Sequence, residues 1–390
     1  MLKPLALLLS LSSLSACTTS PTMSNQYDLL IGSYTQGASQ GIYRYHYDSQ
    51  TGRISEQPEQ IVRAANPSFL LLSRDQTRLF GVNENGPGQA DNIGQASSFS
   101  IEPSDHSIHP INRVASGGDE PTHASLSGDG RFLFVANYAV EPVPGGSLSV
   151  LAVSSDGALH APSQRFSHSP SQVNKARQAS SHVHSVVMSP DQQYLLASDL
   201  GADQVVSYGY NPQPGSNKPL SPAGSTALPP GSGPRHLLFS NDGKHAYLTL
   251  ELSNQLAVFN YAQGKLAQQQ MIDLNPPETP RATYAAGALH TSNDGRFLYV
   301  ATRGPVSRIL VFKTNPLDAQ LELIQHHAVE GKELREFRID PSGNHLLIAN
   351  QGSNEVLVIA RDSRSGKLGD VQQKLNVGNP SDLLFIGADK

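Results

Sequence analysis

Residues 121–138 read PTHASLSGDGRFLFVANY: an alternating apolar run, a Ser-x-Asp-Gly turn, and a second apolar run that ends on an amide and an aromatic ring. Short arms rich in Leu, Phe and Val around an Asp-Gly pair are hairpin grammar, because a period of two buries one strand face and the turn needs a residue that accepts positive φ. The same plan recurs as NPSFLLLSRDQTRLFGVNE (66–84), HVHSVVMSPDQQYLLASDL (182–200), PRHLLFSNDGKHAYLTLEL (234–252), ALHTSNDGRFLYVATRG (288–304) and LREFRIDPSGNHLLIANQG (334–352). Its turn positions, Asp75, Asp129, Asp191, Asp242, Asp294 and Ser342, are 48 to 62 residues apart.

A third alternating run follows the hairpin in most units: SLSVLAV (147–153), QVVSYGY (204–210), QLAVFNY (255–261), RILVFKT (308–314) and EVLVIAR (355–361). A weaker fourth comes after a Gly turn, as in DGALHAP (156–162) and SGKLGDV (365–371). Four strands per unit of about 50 residues predict β-propeller blades. The leftover strands DLLIGSYT (28–35), GIYRYHYD (41–48) and RISEQPEQIV (53–62) lack a first strand, and NPSDLLFIG (379–387) lacks partners. Joined, they complete a seventh blade and remove the open edges of the array. The expected fold is all-β: a seven-bladed β-propeller of four-stranded blades, with the last blade closed by the N- and C-terminal strands. Segments 160–181 and 211–233 read as long surface loops within this one domain.

Composition agrees. The 390 residues are 38% hydrophobic and 16% charged, with 33 Gly, 27 Pro, one Cys and no Trp. Disorder, long helices and a disulfide scaffold are thereby excluded. A formal charge of −5 lacks the basic footprint of a nucleic-acid binder. The first 21 residues, MLKPLALLLSLSSLSACTTSP, run from Lys3 through an apolar stretch to small residues, the order of a secretory signal. Leu14-Ser15-Ala16-Cys17 resembles the bacterial lipobox, so residues 1–17 are expected to be a lipoprotein signal ending at a lipidated Cys17. Residues 18–26 read as a polar tether and 27–390 as the propeller domain. The expected address is the cell envelope, with a lipid anchor in the membrane. Thr18, which is not Asp, favours the outer membrane, facing the periplasm.

A propeller stacks equivalent positions around one channel, so function is sought in columns. Seven residues before the turn stand Ser68, Thr122, His184, Arg235, Gly287 and Arg335; one later stand Phe69, His123, Ser185, His236, Ala288 and Glu336. Nine after the turn stand Glu84, Tyr138, Leu200, Glu251, Arg303 and Gln351. His182 and His290 fall at even spacing from the first columns, which predicts a shared strand face. Asn83, Asn137 and Asn350 recur before the last column and read as strand-end caps, while Asp129, Asp242 and Asp294 are turn formers. His184, Arg235, Glu251 and Arg303 differ from blade to blade, as one asymmetric site requires.

The motifs H-V-H-S, G-P-R-H, Y-L-T-L-E-L and D-G-R-F-L-Y-V-A-T-R-G resemble those of the seven-bladed propeller lactonases, a family that includes a bacterial 6-phosphogluconolactonase and the fungal carboxymuconate lactonizing enzyme. The similarity runs from Tyr27 to Ile386. It implies a site at His184, Arg235, Glu251 and Arg303 with His123 nearby, and His182, His236, His290 and Arg335 as candidate substrate contacts. Where the family reads N-E-L and N-R-G, this chain has Leu250-Glu251-Leu252 and Thr302-Arg303-Gly304. Lactone hydrolysis needs an activated water and a stabilised oxyanion. Glu251 is expected to take the water proton, His184 to protonate the leaving alkoxide, and the arginines to hold negative charge. Two arginines facing one pocket point to an anionic lactone. No G-x-S-x-G elbow and no zinc-spaced ligand set occur, so neither covalent catalysis nor a metal or other cofactor is called for. Two alternatives stand beside this reading. One is a binding propeller without enzymatic activity; the other is a calcium-dependent gluconolactonase with its ion near Glu84, Asn137 and Asp199.

Overall fold

The structure is a computed structural model that describes residues 25–387 apart from 88, 90–91, 139–146, 278–279 and 281–282. The signal, Cys17 and most of the tether therefore lie outside the described residues. Seven antiparallel sheets form the chain. Blade 1 pairs Pro67–Leu72, Arg78–Asn83, Gln95–Ile101 and Ile108–Ala115 in sequence order. Blades 2 to 6 repeat that order, with inner strands Pro121–Leu126, Val183–Met188, Pro234–Phe239, Ala285–Thr291 and Leu334–Ile339. Blade 7 joins the C-terminal Pro380–Ile386 to Gln26–Ser33 and Gly41–Asp48. Each inner strand packs against the inner strands of both neighbouring blades, and the sequence of contacts closes into a ring.

Two expectations need correction. The outer strand of blade 7 is broken into Arg53–Ile54 and Gln60–Arg63, since Pro58 cannot donate to the ladder between them. The fourth run read at 156–162 continues as the outer strand Leu159–Phe166 into the segment read as a loop, and the segment 211–233 contains an outer strand of its own, Leu220–Ala227. Leu159–Phe166 is half-buried to exposed and Leu220–Ala227 mostly exposed, each on an outside edge with a single buried residue, so they carry little hydrophobic period to betray them.

The core is distributed rather than central. Each of the seven hydrophobic clusters lies in the seam between two adjacent blades. The closing seam sets Leu30, Ile42 and Ile386 of blade 7 against Leu70, Leu79 and Phe99 of blade 1. The hairpins are pinned by their own side chains. In blade 5 the Ser292 hydroxyl donates to Asp294 at 2.6 Å, the backbone N–H of Phe297 donates to Ser292 Oγ at 3.1 Å, and Gly295 takes φ +69°. Strand direction then fixes polarity. Inner strands begin, and second strands end, on one face of the disc, where the functional columns gather. Blade 7 obeys the same rule, so the chain enters at Gln26 and leaves at Gly387 on the opposite face.

Candidate active site

A β-bulge recurs at the start of every inner strand. The register slips at Ser68, Thr122, His184, Arg235–His236, Gly287–Ala288, Arg335 and Ser381. The extra residue leaves the ladder and its side chain is re-aimed. This is how His184 and Arg335 reach a cleft of about 660 Å³ at the mouth of the channel, alongside Glu84, Tyr138, Glu251, Arg303 and Gln351 from the second-strand ends. Glu120 and Glu333 complete its wall.

Glu251 is the hub. Its Oε2 accepts from Arg235 Nε at 3.0 Å and from Arg303 Nη2 at 3.0 Å, and its Oε1 accepts from Arg177 Nη2 at 2.7 Å. Burial raises the pKa of a carboxyl, yet Arg303 and Arg235 outweigh that here and hold Glu251 far below the usual range. Arg235 is itself enclosed, and burial with the nearby Arg303 and Arg335 brings its pKa down to about 9, which leaves it charged at neutral pH. His184 Nε2 lies 4.0 Å from Glu251 Oε2, and its buried Nδ1 has no hydrogen-bond partner among the described residues. Burial first and the Arg235 charge second push His184 well below its ordinary value, so the imidazole is neutral.

A second cluster faces the first. Arg335 Nη2 donates to Tyr34 Oη at 2.7 Å and lies 3.5 Å from Glu84 Oε2, while the Tyr34 hydroxyl donates to Glu84 Oε2 at 2.7 Å. The cleft and its immediate backing thus hold as many glutamates as arginines. The arginines alone no longer imply an anionic substrate.

The structure separates the other histidines from the cleft. His236 Nε2 accepts from Arg235 at 3.1 Å, and its ring meets His184 and His123 edge-on, with His123 in turn against Phe69. Burial brings His123 down to about 3, so this layer is an uncharged floor beneath the site. His182 stacks on Tyr138 from behind and bonds its carbonyl at 2.8 Å. His290 pairs with Glu336 at 2.7 Å on another inner strand. The bulges explain why even spacing misleads: one extra residue breaks the alternation that placed His182 and His290 on one face with the columns.

Of the three residues in the calcium reading, Glu84 and Asp199 have their carboxylates engaged, whereas Asn137 Oδ1 is buried with no hydrogen-bond partner among the described residues. Glu84 serves Tyr34 and Arg335, and the Asn137 amide donates to Ser147 and Ser149. Asp199 accepts from Ser181, the backbone of His182 and His168. Among the described residues no group of three or more His, Cys, Asp or Glu is placed to hold a metal ion.

Comparison with known proteins bears on this geometry. A family model described as lactonase, 7-bladed beta-propeller, matches residues 28–385. The chain belongs to the seven-bladed β-propeller lactonase family. It is 32% identical to a 6-phosphogluconolactonase of Formosa agariphila, over 92% of this chain and 99% of that protein. It is 29% identical to a 6-phosphogluconolactonase of Bacillus subtilis, over 91% and 97% respectively. Among solved structures, the periplasmic gluconolactonase of Pseudomonas aeruginosa superposes with a TM-score of 0.89 at 46% identity, covering 93% of this chain and all of that one. This lactonase is accordingly an enzyme of the lactone-hydrolase class.

Sequence reasoning missed two contributors to the site. Arg177 comes from the segment between the outer strand of blade 2 and the inner strand of blade 3, held there by Gln178, whose amide donates to the Leu200 carbonyl and to Asp203. It belongs to no repeat column, so no signal pointed to it. Tyr34 did have one. It follows the second strand of blade 7 as Glu84 and Glu251 follow theirs, and is the seventh member of that column.

Proposed function

We propose that this lactonase hydrolyses a sugar lactone of the gluconolactone kind, with His184 moving the proton and Arg303 and Arg177 holding the oxyanion. The observation that carries this reading is a neutral, partly unpartnered imidazole beside a carboxylate saturated by arginines. Held by three guanidinium groups, Glu251 is a far weaker base than a free carboxylate, so the proton-accepting role passes to His184. Water attacks the lactone carbonyl as its proton goes to His184, and Glu251 stabilises the imidazolium that forms. Arg303 and Arg177 both line the cleft and meet the negative charge on the tetrahedral oxygen. The ring C–O bond then breaks, the departing alkoxide takes the proton back from His184, and a hydroxy acid is released. Glu251 orients the cations throughout.

Acid release from D-glucono-1,5-lactone and its 6-phosphate tests this. Purified protein is expected to exceed spontaneous hydrolysis on at least one of them. Arg303→Ala is expected to lower kcat by about a hundredfold, the order seen when an oxyanion donor is removed. No acid release above background on either lactone overturns the reading and favours a binding propeller.

We also propose that the protein is anchored through Cys17 in the cell envelope. The P. aeruginosa neighbour is named periplasmic, and the lipobox-like run supports the same compartment. Cys17 stands nine positions before Gln26, a reach of roughly 30 Å at full extension. Since Gln26 lies on the face opposite the cleft, the anchor leaves the cleft open to solvent. Cys17→Ser is expected to shift the protein from the membrane pellet to the soluble fraction. An unchanged distribution refutes the anchor.

A further inference from the structure

We propose that Glu120 and Glu333 are specificity residues which accept hydrogen bonds from the hydroxyls of an uncharged polyhydroxylated lactone and exclude its phosphate ester. This inference rests on the lactone reading above. Four arginines and four glutamates meet at the cleft, but they are not evenly matched. Arg177, Arg235 and Arg303 converge on Glu251, and Arg335 is engaged with Tyr34 and Glu84. Glu120 and Glu333 line the same cleft and take part in none of the ion pairs among the described residues. Beyond the Glu251 cluster, a substrate therefore meets carboxylate oxygens rather than spare cations.

The fold does not ask for glutamate at either place. Both residues immediately precede an inner strand and adopt left-handed backbone, with φ of +48° and +54°. At the same position blades 1, 4 and 7 carry Asn66, Gly233 and Asn379, at +42°, +63° and +43°. Asparagine and glycine accept that conformation readily, whereas glutamate does so at a conformational cost. The glutamates are thus the unfavourable choice for the turn, and both, Glu120 half-buried and Glu333 exposed, line the cavity that also presents the buried His184, whose Nδ1 has no hydrogen-bond partner among the described residues.

The chemistry follows from charge. Ionised carboxylates only accept hydrogen bonds, so they suit the O–H donors of a sugar. A phosphate ester brings close to two negative charges and no matching donors at neutral pH. Burial, with Glu84 and Asp119 nearby, raises Glu120 to about 7, so it is largely ionised only above neutrality, and lowering the pH weakens its share of the repulsion.

The experiment compares kcat/KM for D-glucono-1,5-lactone and its 6-phosphate at pH 8, in wild type and in Glu120→Gln/Glu333→Gln, at low and high salt. Wild type is expected to favour the uncharged lactone by about a hundredfold or more, and the double variant to narrow that ratio by about tenfold, the order expected for like charges a few ångströms apart in a partly buried site. Added salt should narrow the wild-type ratio more than that of the variant. A wild-type preference for the phosphate ester, or a ratio unmoved by the double substitution, overturns the proposal. Should the glutamine variant misfold, Glu120→Asn places in blade 2 the residue that blades 1 and 7 already carry. It is expected to melt at or above the wild-type temperature and still narrow the ratio. If neither lactone is turned over, the hydrolase reading fails by itself. Selectivity is then read by calorimetry with D-gluconolactam and its 6-phosphate, where equal affinities overturn the wall and a preference for the uncharged lactam upholds it.

Discussion

His184→Gln is expected to reduce kcat by roughly a thousandfold, within the range for loss of a general base, while leaving the melting temperature nearly unchanged. Glutamine keeps the volume of the imidazole and some hydrogen-bonding capacity, but it cannot carry a proton from water to the alkoxide. The stability expectation follows from the partners that His184 lacks: its Nδ1 makes no hydrogen bond among the described residues and Nε2 is 4.0 Å from Glu251, so little bonding is lost. The pH profile supplies a second readout. Burial and Arg235 hold the imidazole well below its ordinary value, so its basic form persists through neutrality. In a Glu120→Gln background, which removes the carboxylate raised to about 7, kcat/KM is expected to stay flat as pH falls from 8 past 6.5 and to drop only in the more acidic range. A profile that bends near the ordinary histidine value of about 6.5 contradicts the neutral, buried His184. Full activity of His184→Gln ends its assignment as proton carrier.

Glu251→Gln carries the largest expected loss of stability. The substitution preserves shape but removes the carboxylate that contacts Arg177, Arg235 and Arg303 together. Arg235 is 2% exposed and cannot turn to water. Breaking a buried pair by removing one partner costs about 3–5 kcal/mol, because the other charge stays enclosed and uncompensated. Denaturant unfolding of the variant is expected to show a loss of that order, with kcat falling as well because Arg303 loses its anchor and the His184 imidazolium its nearby countercharge. The sign of the pH dependence is also set. The folded state holds Glu251 below its unfolded value of about 4.3, so its contribution is complete above that pH and fades as pH falls further. Wild type should therefore lose its advantage over the variant on acidification below about pH 4. Equal unfolding free energies at pH 7 refute the three-arginine hub.

Much of this was legible in the chain. The Asp-Gly turns and their flanking runs specified the inner and second strands, since strand period and turn chemistry are local properties. The complementary fragments 26–63 and 380–386 specified ring closure. Of the outer strands, Leu159–Phe166 was readable only at its start, in the run 156–162, and Leu220–Ala227 not at all, because an outside edge imposes no apolar alternation. Among site residues, Arg235, Glu251 and Arg303 emerged from columns because repetition turns equal sequence positions into neighbours in space. His182 and His290 did not follow their period, because a bulge is a backbone event that leaves no mark on composition.

By itself the sequence determined the architecture, the family and which columns carry unlike residues, because each of these depends on patterns of short range repeated seven times. Only the tertiary structure decided that three arginines converge on Glu251, one of them from outside the repeat. It alone separated His184, in the cleft, from His123 and His236 beneath it. It also left Glu120 and Glu333 lining the cavity with no ion-pair partner among the described residues. Those outcomes depend on distances between blades and on burial, through which charges set one another's protonation, and neither quantity is written in the spacing of residues along one chain.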